Sequence, residues 1–343
     1  MSIDGVGALI AGGCLVLAAT AALALLWDRL RRPGRGALIV AVVLGVTATA
    51  ALEVNRLTET YPSWAALAGE KAAPDPTPRL VADHSPAQGR LVTYTVPGPA
   101  SGMTMPMTVY LPAAYFTPEG LRLDFPVIEA LHGYPGTPES WVRRLDVAGH
   151  LDREIAAGRM APTVVLLPYQ TPQRLLDTEC TNLVGGPQAE TYLTVDVPAW
   201  ARGHLRVRTD RASWALTGYS AGAFCALNLV LKHPGQYAAA ASLSGFPGPG
   251  IKVGDRSERT TNNVAWRLSH LPLPPVALWI GWADDDTGAR DGSRAIVALA
   301  KPPITVVTAA VPRGGHSHTV WRQMEGPAFD WLSEHLARPG RPW

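Results

Sequence analysis

The chain has 343 residues, 47% of them hydrophobic and 17% charged, with a formal net charge of +2 and a mean hydropathy of +0.06. That composition excludes a disordered chain, a coiled coil and a basic nucleic-acid binder, but not a membrane protein. The charge is also unevenly placed: residues 1–56 hold five arginines against three carboxylates, and the rest of the chain is formally neutral.

From Val6 to Trp27 no residue is charged, and at 1.5 Å per residue such a run spans the hydrocarbon core of about 30 Å. A second apolar run, Ala37 to Leu52, is shorter, with Glu53 placed to reach the interface. Between them lies DRLRRPGRG, with four arginines, which the positive-inside bias assigns to the cytoplasm. The expectation is a two-pass helical hairpin in the cell membrane over residues 1–54, with everything beyond it extracytoplasmic. The competing expectation is a signal peptide cleaved near Ala48-Thr49-Ala50, which would release the rest. Retention is favoured because the first apolar run precedes the arginines and has no place in a simple secretory signal. Two buried helices of a soluble core are disfavoured, since neither run has a polar face.

Residues 55–89 contain Pro62, Pro74, Pro76, Pro78 and Pro86 with little apolar periodicity, and read as a linker. A third part, 90–343, then alternates short apolar runs with amphipathic stretches. Strands are expected at 90–96, 107–112, 126–133, 163–168, 213–218, 238–245, 276–281 and 304–310, most of them β-branched or wholly apolar, as buried strands are. Helices are expected at 139–157, 188–203, 221–233, 290–300 and 319–337. This alternation predicts an α/β fold, a mostly parallel sheet covered by helices on both faces, with its chemistry in loops at the carboxyl ends of the strands. Residues 246–270 are expected to form either a lid or wall for an acyl chain or a surface excursion.

Gly218-Tyr219-Ser220-Ala221-Gly222 directly follows the strand SWALT and opens a helical run. G-x-S-x-G in a strand–turn–helix setting is a nucleophile elbow. The serine sits on a sharp turn that leaves no room for side chains two residues either side, and its Oγ stands at a helix N-terminus with free N–H groups. A serine nucleophile needs a base, and Pro312-Arg313-Gly314-Gly315-His316-Ser317-His318 follows the last strand. His316, on the glycine loop, is the expected base and His318 the alternative. The third member is expected after the strand VALWIG, in Asp284-Asp285-Asp286, with Asp284 preferred and Asp286 the alternative. The order serine, acid, histidine is that of α/β-hydrolases. Calcium is disfavoured for this triplet because the spacing and closing glutamate of a known cage are missing, and no metal or other cofactor is expected. The oxyanion donors are expected to be the backbone amides of Ala221 and, from His132-Gly133-Tyr134-Pro135, of Tyr134, since Pro135 has no N–H. Cys14 lies in the first apolar run, so Cys180 and Cys225 remain as a pair, either disulfide-bonded in an oxidising compartment or reduced and buried.

The segments LHGYPGTPESW, ETYLTVDVPAWARGHLRV, WALTGYSAGAFCALNLVLKHPGQYAAAASLSG, ALWIGWADDD and PRGGHSHTVWR together resemble the putative-esterase family of α/β-hydrolases. That family includes S-formylglutathione hydrolase, feruloyl esterases and the secreted mycobacterial mycolyltransferases. The resemblance implies Ser220, His316 and an acid for catalysis. Glu190 through Gly245 is especially similar to the mycolyltransferases. Those have Asp-Gly-Leu-Arg where this chain has His132-Gly133-Tyr134-Pro135, use a glutamate as the acid and carry no membrane hairpin. The expected function is therefore a membrane-anchored extracytoplasmic serine hydrolase acting on carboxylic esters, with the bilayer and an ester or acyl-lipid of the cell envelope as its partners. Transfer of an acyl chain to a sugar or lipid hydroxyl is the first alternative, and an inactive binding module the second.

Overall fold

A computed structural model describes residues 6–58, 64–67, 79–80, 88–173 and 175–342. The chain divides into two compact units, Met1–Ala73 and Pro74–Trp343. In the first, α1 (Val6–Leu26) and α2 (Arg32–Thr58) pack against each other, and α3 (Trp64–Leu67) follows. Small residues let the helix backbones approach: a Cβ on Gly12 would lie 2.6 Å from Thr49 Oγ1, and one on Gly45 2.9 Å from Val16 Cγ2. The hydroxyls of Thr20, Thr47 and Thr49 donate to the carbonyls of Val16, Val43 and Gly45, so each is satisfied within its own helix. Arg35 closes the turn, donating to Trp27 O at 2.8 Å with its guanidinium over the Trp27 ring. Both helices are long and apolar enough to cross a membrane. Most of the 55–89 linker, including its five prolines, lies outside the described residues.

The second unit holds one sheet in the order β1-β2-β3-β5-β4-β6-β7-β8-β9. The strands are β1 (Arg79–Leu80), β2 (Arg90–Gly98), β3 (Met103–Leu111), β4 (Val127–Leu131), β5 (Val164–Pro168), β6 (Trp214–Tyr219), β7 (Ala239–Leu243), β8 (Ala277–Ala283) and β9 (Thr305–Val311). β1, β2 and β3 pair antiparallel and β3 joins β5 antiparallel, whereas β5, β4, β6, β7, β8 and β9 run parallel. The helices are α4 (Pro138–Arg143), α5 (Val147–Ala156), α6 (Ala189–Thr191), α7 (Val197–His204), α8 (Ala221–Lys232), α9 (Val264–His270), α10 (Thr287–Leu299) and α11 (His318–His335). This is the expected α/β-hydrolase architecture, and each of the eight strands read from the sequence is present.

The strand period explains the layering. Val164 and Leu166 of β5 join one apolar cluster with Phe224 and Leu227 of α8, while Val165 and Leu167 join the opposite cluster with Trp141 of α4, Leu151 of α5 and Phe329 of α11. With helices on both faces, β4 through β8 are wholly buried. β9 corrects one expectation. It is apolar but largely exposed, with Val307 45% accessible, because it ends the sheet and, among the described residues, has a neighbouring strand on one side only. The helix expected over 139–157 is two helices, broken at Arg144-Leu145-Asp146, where Asp146 adopts a φ of 60°. The stretch 188–203 is α6 and α7 joined by a π-helical turn, Tyr192–Asp196. That turn carries Asp196, whose carboxylate accepts the Ala100 and Ser101 amides of the β2–β3 hairpin. Within 246–270 the structure places α9, capped by Asn263.

Among the described residues several carboxyls are buried in this unit, Glu129 and Glu325 most completely. Burial pushes Glu129, on β4, up to about 8, although the Tyr237 hydroxyl donates to its Oε2 at 3.1 Å. Burial likewise raises Glu325, on α11, whose two oxygens have no hydrogen bond. A carboxyl held above its unfolded value favours the fold at low pH. That contribution is complete below the unfolded value, near 4.5, and is lost as pH rises through the folded value. Urea unfolding should show the protein losing stability between about pH 5 and pH 8. Glu129→Gln should flatten that slope, leaving the variant less affected by the same pH change than the wild type.

Candidate active site

Ser220 lies between β6 and α8, near the middle of the sheet. Its backbone is strained, with φ 56° and ψ −122°, a region that side chains rarely occupy. The neighbours show why the sequence must be G-x-S-x-G. A Cβ on Gly218 would fall on the carbonyl of Gly222, and one on Gly222 would fall on the carbonyls of Leu131 and His132 at the end of β4. The Ser220 amide donates to Leu243 O at the end of β7, 3.0 Å away, and the Ser220 carbonyl accepts the amides of Ala223 and Phe224. The turn is thus bonded to the end of β7 and packed against the end of β4. It presents the serine at the start of α8, where the first amides have no carbonyl one turn earlier.

His316 Nε2 lies 2.8 Å from Ser220 Oγ. Its Nδ1 lies 2.6 Å from Asp286 Oδ2, an arrangement that fixes Nδ1 as the protonated nitrogen beside a carboxylate and leaves Nε2 free to accept from the serine. The imidazole is flanked by Phe246, 5.6 Å between centroids, and by Trp321, edge-on at 5.0 Å. Its side chain keeps 34% of its surface accessible, whereas Asp286 keeps 11%, so the imidazole faces solvent and the carboxylate stands behind it. His318 opens α11 and lies edge-on to Tyr219 and Trp321, so the Ser220 contact belongs to His316.

The preferred acid is corrected. Asp284 directly follows β8 and continues its pairing, its amide donating to Val311 O. Its carboxylate accepts the Trp282 indole N–H at 3.1 Å. The chain then turns, with the Asp286 amide donating to Ala283 O, and this turn carries residue 286 toward His316. Asp286 is also the N-cap of α10, accepting the Ala289 amide through Oδ1. That capping position, immediately before T-G-A-R, was the sequence signal for the last aspartate. Phe246, Trp321 and Asp285 also adjoin His316 or its loop, and sequence reasoning missed them.

The Gly133-Tyr134 backbone passes directly against the elbow: a Cβ on Gly133 would sit 3.1 Å from Ser220 Cβ and 2.8 Å from the Tyr219 ring. The Tyr134–Pro135 peptide is cis. The turn is held by Gln170 Nε2 donating to His132 O at 2.9 Å and by the Tyr134 hydroxyl donating to Leu175 O. A Cys180–Cys225 disulfide is present and ties the loop after β5 to α8, five residues past Ser220. Among the described residues, no group of three His, Cys, Asp or Glu is arranged to hold a metal ion.

A nucleophile elbow at the centre of a parallel sheet, with a histidine and a carboxylate from the next strand loops, defines the serine-hydrolase type of α/β fold. Residues 99–337 match the family model described as Putative esterase, and the chain belongs to that family. Among curated relatives, it is 24% identical over 249 residues to an uncharacterised protein of Corynebacterium glutamicum, covering 66% of this chain and 56% of that one. It is 27% identical over 165 residues to an esterase of Mycobacterium tuberculosis, covering 48% and 34%. The chain thus spans about half or less of the length of these relatives. Similar solved structures include a ferulic acid esterase, with a TM-score of 0.63, 20% identity and coverage of 73% of this chain and 99% of that one. Another is an S-formylglutathione hydrolase from Agrobacterium tumefaciens, with a TM-score of 0.62, 17% identity and coverage of 76% and 100%.

The two aspartates can be told apart by turnover of a p-nitrophenyl ester. Asp286→Ala should lower kcat by about 10³- to 10⁴-fold, and Asp284→Ala by less than about tenfold.

Proposed function

We propose that the chain is a membrane-anchored serine hydrolase that cleaves carboxylic esters outside the cytoplasm. The observation that carries this reading is the continuous hydrogen-bonded line Ser220 Oγ, His316 and Asp286, set on a strained elbow. In the reaction, His316 Nε2 takes the Ser220 proton as Oγ attacks the ester carbonyl carbon. The oxyanion is held by the backbone amides of Ala221 and Tyr134. Collapse breaks the bond to the alcohol, which leaves with the proton from His316. Water then gives its proton to His316 and attacks the acyl-enzyme, and the acid departs as Ser220 is reprotonated.

The exported location rests on two independent features. The arginine loop between α1 and α2 favours the cytoplasmic side, and the Cys180–Cys225 disulfide fits an oxidising compartment. Protease added to intact spheroplasts should remove the unit from about residue 90 onward and spare the hairpin. A protected catalytic unit would reverse the orientation.

A fluorophosphonate probe should label the wild type and leave Ser220→Ala unlabelled; absence of wild-type labelling would instead favour an inactive binding module. Short- and long-chain p-nitrophenyl esters, offered with and without trehalose or glycerol, separate hydrolysis from transfer. Hydrolysis predicts free acid at an unchanged rate with the polyol present. Acylated polyol would assign the chain to the transferases.

A further inference from the structure

We infer that Asp285 is a positioning residue that sets His316 in place by gripping the backbone of its loop. The inference rests on the Ser220–His316–Asp286 reading. Asp285 Oδ2 accepts the Gly314 amide at 3.0 Å and Oδ1 accepts the Gly315 amide at 2.8 Å. These are the two residues immediately before His316. Both occupy the left-handed half of backbone space, with φ of 130° and 60°. Two successive amides converging on one carboxylate form an anion-binding nest, here filled by a side chain of the protein itself.

His316 must meet Ser220 at 2.8 Å and Asp286 at 2.6 Å simultaneously. The chain delivers it through two glycines, the residues that lose most conformational freedom on ordering. Something has to hold that segment. On its carbonyl side, Gly314 O accepts the Ser317 hydroxyl at 2.8 Å, and Ser317 caps α11. On its amide side the holder is Asp285. Because Asp285 and Asp286 are adjacent, a single turn after β8 takes hold of His316 twice: Asp286 by its ring, Asp285 by its backbone. The two amides keep the Asp285 carboxyl below the usual carboxylate range.

Asp285 is exposed, so its replacement leaves the packed core untouched and turnover is the informative readout. The experiment uses the full-length protein in detergent. Asp285→Ala should lower kcat for p-nitrophenyl butyrate by about 10- to 100-fold, the cost of a base displaced by a fraction of an ångström, with KM within about threefold. Asp285→Asn, which keeps one acceptor oxygen, should recover part of that loss. In a His316→Ala background the Asp285→Ala change should have no further effect, because the residue acts through the imidazole. A kcat for Asp285→Ala within threefold of wild type overturns the inference, as does an additional loss in the His316→Ala background. If Ser220→Ala or His316→Ala itself keeps full turnover, the underlying reading has failed instead.

Discussion

The whole site depends on a backbone that would not choose its own shape. Ser220 is held at φ 56° by contacts that allow no alternative: the end of β4 lies where a side chain on residue 222 would go, and the Ser220 amide is bonded to the end of β7. Such a conformation costs about 1–3 kcal/mol and persists only where the surroundings over-determine it. A parallel sheet buried on both faces supplies those surroundings. Strands β4, β6 and β7 are fixed in register along their length, so their ends form a rigid frame to which the turn is bonded. The strain is what lifts Oγ clear of the sheet and toward His316.

Around that fixed point, the remaining parts arrive from loops, each held by a separate device. The β8 loop uses three successive carboxylates in three ways. Asp284 takes an indole N–H, Asp285 takes two backbone amides and Asp286 takes an imidazole while capping a helix. The β4 loop is held by Gln170 from the loop after β5, and the latter loop is bound covalently to the helix behind the serine. The loops brace one another, so a displacement in one is passed to the group it holds.

Much of this was legible in the sequence. Buried strands with period-two faces announced the sheet, and the glycine spacing about Ser220 identified the elbow because sterics there admit no other residue. His316 was legible from the two glycines that precede it. The choice among three aspartates was not, because it turns on where a strand ends and a helix begins, and Asp284 lies just before that bend. The exposure of β9 was hidden for a related reason: ITVVTAA reads the same at the centre of a sheet and at its margin. The break at Asp146 was masked by continuous amphipathic spacing on either side. Sequence pattern reports local preference, whereas these three outcomes are set by neighbours that the pattern does not contain.

The outer position of β9 has a consequence for how the protein would fail. The serine is anchored at the middle of the sheet, but His316 follows the margin strand, which among the described residues has a neighbouring strand on one flank only. Margins open at lower free energy than centres. Mild heat or denaturant would therefore detach His316 while Ser220 and most of the secondary structure stay in place. Inactivation would run ahead of unfolding, and residual circular dichroism would overstate the amount of working protein.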